Sequence, residues 1–258
     1  MKLYFHFVLM NLKSQMQYRV SFILTAFGQF VTAFTSFFGL YFVFLRVNAV
    51  DEFTFEQVLL CFAVVMSAFS LGEMFGGGLA VFPRMLGNGA FDRALVRPRN
   101  IILQVIMPNM DFTRLGLLVQ AALVLGYAIP VSGVDWTGAK ALTLCLMVLC
   151  GAAVFFALFL VNATCSFFTL EGVECLNIFT YGSRQFGRYP FSVYGKGVLQ
   201  FLTFVIPLAL FQYYPLLFLL DRVQGPLCML LPALALLFLI PSYAFYRFGL
   251  SRYRSTGS

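Results

Sequence analysis

Residues 142–170 read LTLCLMVLCGAAVFFALFLVNATCSFFTL and contain no charged side chain. A helix needs about 20 apolar residues to cross the hydrocarbon core of a bilayer, which is roughly 30 Å thick. The stretch exceeds that length, so it is predicted to be a transmembrane helix. The rest of the chain determines how many such helices accompany it.

The composition of the whole chain agrees with a membrane location. Of its 258 residues, 61% are hydrophobic and 10% are charged, and the mean hydropathy is +0.89. Soluble globular domains carry about 45–50% apolar and about 25% charged residues. This difference excludes a soluble globular protein, a disordered chain, a fibrous repeat and a disulfide-stapled module, and it indicates a polytopic membrane protein.

Six apolar runs have the length of a membrane span, at residues 22–45, 58–82, 101–129, 142–170, 198–220 and 223–246. Only three charged side chains interrupt them, namely Glu73, Asp111 and Arg114. The last two runs contain several prolines, so neither need be one straight helix. Six spans predict an all-α fold with both chain termini on the same side of the membrane.

The distribution of basic residues predicts which side that is. If the N-terminus is cytoplasmic, 13 of the 17 Lys and Arg residues fall in cytoplasmic segments, whereas Arg46, Lys140 and Arg222 fall outside. Lys and Arg accumulate on the cytoplasmic flanks of membrane helices. We therefore expect cytoplasmic N- and C-termini, and we attribute the net charge of +7 to orientation and not to nucleic-acid binding.

Residues 1–20 precede the first span and carry an apolar stripe at helical spacing, formed by Phe5, Val8, Leu9, Leu12 and Met16. Polar side chains such as Asn11 and Gln15 fall off this stripe. The pattern is typical of an amphipathic helix that lies in the headgroup region of the inner leaflet. The alternative is a simple cytoplasmic extension of the first span.

The cytoplasmic segment 83–100 is predicted to contain a short helix that begins near Asn88 and ends before Pro98. Such a helix would place Phe91 and Leu95 on one face and its arginines on another. This arrangement suits docking into the groove of a soluble partner. A basic loop that only fixes the topology is the alternative.

The three charged residues inside the spans are expected to lie at similar depth, because each is about 15–21 Å along its helix from the cytoplasmic end. Arg114 could pair with Asp111 on its own helix, with Glu73 on the neighbouring helix, or with both. Intramembrane charges are costly and often functional. They could line a polar translocation surface, or they could form a buried ion pair that fixes helix packing.

Catalytic and metal-binding motifs are absent from the sequence. The chain has one histidine, His6, and no G-x-x-x-x-G-K-[ST] phosphate loop. The run Gly76-Gly77-Gly78 lies in an apolar span, so close helix packing explains it better than phosphate binding. We predict no catalytic residue, no metal site and no cofactor bound by this chain.

Several short motifs follow each other in a characteristic order. After the second span, residues 87–98 have the form G-x-G-x-F-D-R-x-L-V-R-P, and later come YPFSVY at 189–194, VIP at 205–207 and YYP at 213–215. With the N-terminal helix and six spans, they resemble the ABC-2-type transporter permeases, and among these the subfamily of small six-span permeases. The resemblance covers essentially the whole chain.

The resemblance implies a transmembrane subunit of an ATP-driven exporter in the bacterial cytoplasmic membrane. Such a subunit would pair with a second permease, identical or related, and would bind two copies of a separate ATPase that holds ATP and Mg. Membrane lipid would surround it. The helix between spans two and three would be the coupling helix, whose role falls to Gly89, Phe91, Asp92, Arg93, Leu95, Arg97 and Pro98.

The same resemblance assigns the last two spans to residues 191–213 and 226–246. It also implies short re-entrant helices on the outer side at 214–225, with helix breaks at Pro207, Tyr214 and Pro215. The cargo is not implied by any motif.

Other functions remain open at this point. A stand-alone channel or secondary transporter is the main alternative, but it would favour an internal repeat, and none is recognisable between the two halves of the chain. A lipid-modifying enzyme would require His and Asp clusters at the membrane surface. An ABC importer would be expected to show a different cytoplasmic loop.

Overall fold

The computed structural model describes residues 2–47, 49–169, 177–223 and 225–253. The predicted end of the fourth span, residue 170, lies outside these ranges. Within them the chain is helical, apart from connections and an isolated bridge between Val50 and Phe53. The all-α prediction is therefore confirmed. The α-helices are α1 Lys2–Gln15, α2 Arg19–Phe44, α3 Phe55–Gly76, α4 Phe82–Gly87, α5 Ala90–Leu95, α6 Ile101–Ile106, α7 Leu115–Val131, α8 Gly138–Cys165, α9 Ser183–Phe186, α10 Lys196–Phe204, α11 Leu208–Phe211, α12 Tyr213–Leu219, α13 Pro226–Ala235 and α14 Leu239–Arg252.

Five continuous helical stretches of the described chain are long and apolar enough to cross a membrane: Phe5–Phe44, Phe55–Gly87, Phe112–Val131, Gly138–Cys165 and Leu227–Arg252. Helices α10 and α11–α12 pass the same test only as a pair, and they are bent by 88° at their junction. By length and composition, the described chain therefore has five candidate membrane crossings, or six if the bent pair forms one span. The prediction of a multi-pass membrane protein is confirmed.

Helix α3 forms the centre of the fold. In the stretch Phe55–Gly87, 89% of the 18 most apolar consecutive residues are buried within the chain. Helix α3 packs mainly against α8 and α7. Glycines allow the close approach, since a Cβ at Gly72 would lie 2.9 Å from the carbonyl oxygen of Ala152. Small residues bring membrane helices together in this way.

Helix α2 lies at the edge of the fold. In the stretch Phe5–Phe44, only 6% of the 18 most apolar consecutive residues are buried. Its main neighbour is α7, where Gly116 contacts the backbone of Ala26 so closely that a side chain at this position would clash. Most of α2 is therefore open to lipid or to a second polypeptide.

The loops at the end of the molecule opposite α5 are joined by charged side chains. The Lys140 Nζ lies 2.6 Å from the Asp221 carboxylate, although Lys140 is buried. The Arg222 guanidinium donates to the carbonyl oxygen of Glu52 at 2.6 Å and stacks on the Phe53 ring. Two of the three basic residues predicted to be extracellular thus have partners within the chain.

Helix breaks are predicted at Pro207, Tyr214 and Pro215. Pro207 lies at the 88° bend, whereas Tyr214 and Pro215 lie within α12. Pro207 separates α10 from α11, and Pro215 is buried. The Tyr214 hydroxyl lies 3.2 Å from the Thr203 hydroxyl and so bridges α10 and α12 across the bend. A proline cannot donate the helical hydrogen bond, which explains why the helix changes direction there.

Candidate functional site

The short helix α5 begins just after Asn88, near which the sequence predicts the start of a helix. Gly89, which precedes it, adopts a left-handed conformation with φ of 66°. This conformation is readily accessible to glycine and costly for residues with a Cβ. The side chain of Asn88 accepts a hydrogen bond from the backbone N–H of Ala90 at 3.1 Å. The motif Asn88-Gly89 therefore sets the direction of the helix.

Phe91 anchors α5 to the transmembrane helices. Its side chain is fully buried, with ring centroids 5.4 Å from Phe82, 5.4 Å from Phe167 and 5.0 Å from Tyr253. Tyr246 of α14 also contacts Phe82 and Phe167. We call these five residues the aromatic cluster. Phe91 thus differs from the exposed docking residue that its spacing from Leu95 predicts, because its ring packs into this cluster.

Asp92 connects α5 to the end of the described chain. The Tyr253 hydroxyl donates a hydrogen bond to Asp92 Oδ1 at 3.0 Å. Burial raises the pKa of Tyr253, and the hydrogen bond to Asp92 and the charge of that carboxylate add to the rise. Helix α5 is therefore attached to α14 by a polar contact as well as by aromatic packing.

The outer surface of α5 and the loop after it consists of exposed side chains: Arg93, Leu95, Val96, Arg97, Pro98 and Arg99. Val96 is the most prominent, with 86% of its surface exposed. Gln104 of α6 supports the loop by donating to the carbonyl oxygens of Ala94 and Arg99. No spacing pattern in the sequence distinguishes Val96 or Gln104 from their neighbours.

The three charged residues predicted inside the spans lie together in the structure. The Arg114 guanidinium is 3.3 Å from Glu73 Oε1 and 3.1 Å from Asp111 Oδ2. Gln29 of α2 accepts a further hydrogen bond from Arg114 at 3.3 Å. Glu73 is 1% exposed, so the ion pair joins α2, α3 and the start of α7 inside the fold.

Two more arginines, which the sequence predicts in a cytoplasmic segment, pack against the membrane-spanning helices. The Arg184 guanidinium stacks on the ring of Phe69, in the middle of α3. Arg188 donates to the Ser36 hydroxyl of α2 at 2.8 Å. The segment carrying them begins with a π-helical turn, Ile178–Gly182, and packs against α3 at Gly187. Its several polar residues conceal its depth in a hydropathy profile.

The third span is broken between α6 and α7, and helix α1 satisfies the freed backbone groups. Asn11 donates to the carbonyl oxygens of Met107 and Met110. Gln15 donates to Met110 as well and accepts from the N–H of Phe112 at 3.1 Å. The amphipathic pattern predicts these polar side chains in the headgroup region, whereas they face the neighbouring helix. Backbone groups in a membrane need such internal partners.

A buried glutamine performs a similar role near α9. Gln212 is fully buried, and its side-chain amide donates to the carbonyl oxygens of Gly187 at 3.2 Å and Tyr189 at 2.8 Å. It therefore holds the turn after α9 against α12. Gln212 is one of two glutamines in the apolar run 198–220, and no pattern in the sequence distinguishes it from Gln200.

Comparison with known proteins identifies one family. A sequence profile of the family described as ABC-2 family transporter protein matches residues 30–257. No curated protein and no solved structure matches the chain. The match covers α5, the aromatic cluster and both groups of intramembrane charges.

Proposed function

The chain belongs to the ABC-2 family of transporter proteins, and on that premise we propose that it is the permease subunit of an exporter driven by a separate ATPase. The family and the multi-pass helical fold establish a membrane-spanning component of an ABC transporter. The direction of transport, the ATPase partner and the bacterial cytoplasmic membrane are parts of the proposal.

The aromatic cluster is the observation that best supports this function. Through Phe91, helix α5 is packed against Phe82 at the start of α4, Phe167 after α8 and Tyr253 at the end of α14. A soluble partner that displaces α5 would therefore move the ends of three membrane helices together. Packed aromatic contacts transmit such displacement because a close-packed core deforms little.

The partner ATPase would bind the exposed side of α5. This surface offers an apolar centre at Leu95 and Val96, flanked by Arg93 and Arg97. An apolar patch with basic neighbours fits a groove of mixed apolar and acidic character. ATP and Mg would be held by that partner and not by this chain. Two ATPase subunits would serve two permeases.

A second permease, identical or related, would pack on α2. Small or hydroxyl-bearing residues recur with spacings of four and three along its open side, at Ser21, Thr25, Gly28, Thr32, Thr35 and Gly39. The hydroxyls of Thr32 and Thr35 donate hydrogen bonds to carbonyl oxygens of the same helix. They therefore add little polarity to the surface. Stripes of this kind let two membrane helices approach closely.

Co-purification from the native membrane tests the proposal. The tagged chain is extracted in mild detergent, and mass spectrometry identifies the proteins bound to it. Recovery of an ATPase with a phosphate-binding loop is expected, and Val96→Asp should abolish it. Val47→Asp is the matched control, because Val47 is an exposed valine at the opposite end of the molecule.

The opposite outcome is equally informative. If the chain is recovered alone under conditions that preserve a known transporter complex, the ATP-driven function is wrong. A stand-alone channel or secondary transporter would then explain the fold better.

A further inference from the structure

Two partly buried arginines lack a counter-ion in the described part of the chain. Arg184 and Arg188 have no carboxylate within ion-pair distance there. The Nε atoms of both are buried without a hydrogen-bond acceptor. Within the described residues, the Arg188 guanidinium donates to the neutral hydroxyl of Ser36, and the Arg184 guanidinium lies on the face of the Phe69 ring. Glu73 is within electrostatic range of Arg184 but is already paired with Arg114.

This arrangement is unfavourable unless an anion completes it. Arginine keeps its charge in proteins, so it cannot relieve the cost of burial by losing a proton. Intramembrane charges accordingly pair with one another or line a pathway. Among the residues that the structure describes, three arginines here face two carboxylates, Glu73 and Asp111. Counted over those residues, the group carries one excess positive charge.

A cavity of about 170 Å³ lies beside these charges. Its walls come from α2, α3, α7 and the segment that follows the π-helical turn, through Gln29, Thr32, Ala33, Ser36, Met66, Glu73, Arg114, Leu117, Tyr181 and Arg184. Drug-sized ligands occupy pockets of about 300–1,000 Å³. The cavity is thus large enough for a carboxylate, sulfate or phosphate group and too small for a whole drug-sized molecule.

The cavity adjoins the open side of α2. Thr32, which lines it, is exposed, and apolar side chains such as Val31 and Leu24 on the same helix are exposed as well. An ion alone would lose most of its hydration on the way to this depth, which is costly. An anion attached to an apolar chain could enter sideways, with its chain against the apolar surface of α2.

We propose that this cavity binds the anionic headgroup of an amphiphile. Arg184, which lines the cavity, and Arg188, which is bonded to Ser36 of its wall, supply the charge that recognises it. The headgroup would accept hydrogen bonds from the guanidiniums, which are the preferred protein partners of phosphate and carboxylate. If the exporter function holds, such an amphiphile is the transported substrate. That last step rests on the proposed function, whereas binding does not.

Binding to the purified full-length chain tests the proposal without any ATPase. The chain is held in an uncharged detergent and titrated calorimetrically with dodecyl phosphate, dodecyltrimethylammonium and inorganic phosphate. Saturable binding of dodecyl phosphate is expected, with at least tenfold weaker binding of the other two. The double variant Arg184→Gln/Arg188→Gln should lose at least tenfold in affinity for dodecyl phosphate.

Two further variants separate recognition from folding. Arg184→Lys/Arg188→Lys keeps the charge and should bind more tightly than the glutamine variant. Arg247→Gln changes an exposed arginine on α14 and should bind like the unaltered chain. If the glutamine variant does not fold, Thr32→Val/Ser36→Ala replaces it, since it removes polar lining without changing the charge, and it should weaken binding severalfold.

Several results would overturn the site. Unchanged affinity in the glutamine variant, or in the substitute variant, would show that the charges and the cavity are not used. Equal binding of inorganic phosphate would replace the amphiphile by a small anion. Intact binding in a chain that co-purifies with no ATPase would leave the site standing and refute only the exporter function.

Discussion

The hydroxyl of Tyr253 donates a hydrogen bond to Asp92 across 3.0 Å, although 161 positions separate the two residues. The contact joins the end of α14 to helix α5, on which the partner ATPase is proposed to dock. Phe91, the neighbour of Asp92, packs edge-on against the same tyrosine ring. The last membrane helix therefore belongs to the unit that would move when α5 moves.

Tyr253→Phe should weaken coupling while keeping the ring in place. The change removes one hydrogen bond, so we expect a loss of about 1 kcal/mol in stability and a reduced permease-dependent stimulation of the ATPase. Thermal unfolding and ATP hydrolysis in reconstituted vesicles measure the two effects. Tyr127→Phe, which alters an exposed tyrosine on α7, should change neither. Equal stimulation by both variants would contradict the role of the contact.

The same tyrosine predicts a dependence on pH. Its pKa is raised in the folded chain, so the protonated hydroxyl is favoured by folding. The contribution of Tyr253 is therefore fully present below the unfolded pKa of about 10 and is lost as pH rises through the folded value. The loss of stability between neutral and strongly alkaline pH should be smaller in Tyr253→Phe than in the unaltered chain. An identical alkaline loss of stability in the two chains would contradict this role of the Tyr253 hydroxyl.

Phe91 and Val96 should respond differently to substitution. Phe91→Ala removes a fully buried ring, so we expect a loss of about 3–5 kcal/mol in the free energy of unfolding. Val96→Asp alters a surface residue, so its effect on stability should stay within about 0.5 kcal/mol while ATPase binding is lost. Phe75→Ala, at an exposed phenylalanine of α3, is the stability control. A stable Phe91→Ala variant would refute the anchoring role.

The sequence predicts the multi-pass helical fold and the family, because long uncharged runs and ordered motifs are local features. It also predicts that Arg114 can reach Glu73, since depth along a helix follows from residue count. It does not reveal that Phe91 is buried, because spacing on one helix says nothing about what packs on it. Nor does it place Arg184 in the fold, because a polar segment resembles a loop unless tertiary contacts are known.

A double-mutant cycle should detect the contact between Glu73 and Arg114. Arg114→Gln removes the ion-pair partner of the buried Glu73 carboxylate, so it should cost about 3–5 kcal/mol. Glu73→Gln should cost less, because Arg114 keeps Asp111 as a partner. The double variant should lose less than the sum, by about 0.5–3 kcal/mol. Denaturation in detergent gives these values. The control cycle pairs Glu73→Gln with Arg222→Gln, which lies at the outer loops, and it should be additive. Additive losses in both cycles would mean that the two residues do not interact.

Gln15 should be needed for the broken third span. Gln15→Leu leaves the N–H of Phe112 without its partner and the Met110 carbonyl oxygen with Asn11 as its remaining side-chain donor. We expect a loss of about 2 kcal/mol, since an unsatisfied buried polar group costs about 1–3 kcal/mol. Gln17→Leu is the matched control, because Gln17 is exposed. Equal stability of the two variants would show that α1 does not support the break.

Gly28 tests whether the open side of α2 is where a second permease packs. A Cβ at Gly28 would meet nothing within 4 Å in the isolated chain, and the same is true of Gly126 on α7. Leucine at either position is therefore tolerated by the fold of a single chain. If two permeases pack along the stripe of small residues, only Gly28→Leu should interfere, because its side chain would keep the two helices apart.

The mass of the permease in lipid nanodiscs or mild detergent distinguishes the outcomes. The unaltered chain and Gly126→Leu should have the mass of a complex with two permeases, and Gly28→Leu should shift toward one. A larger effect of Gly126→Leu would move the interface to α7. Because the cavity with Arg184 adjoins α2, an interface on α2 would bring two copies of that cavity close to the contact between the permeases, where a transport pathway would have to open.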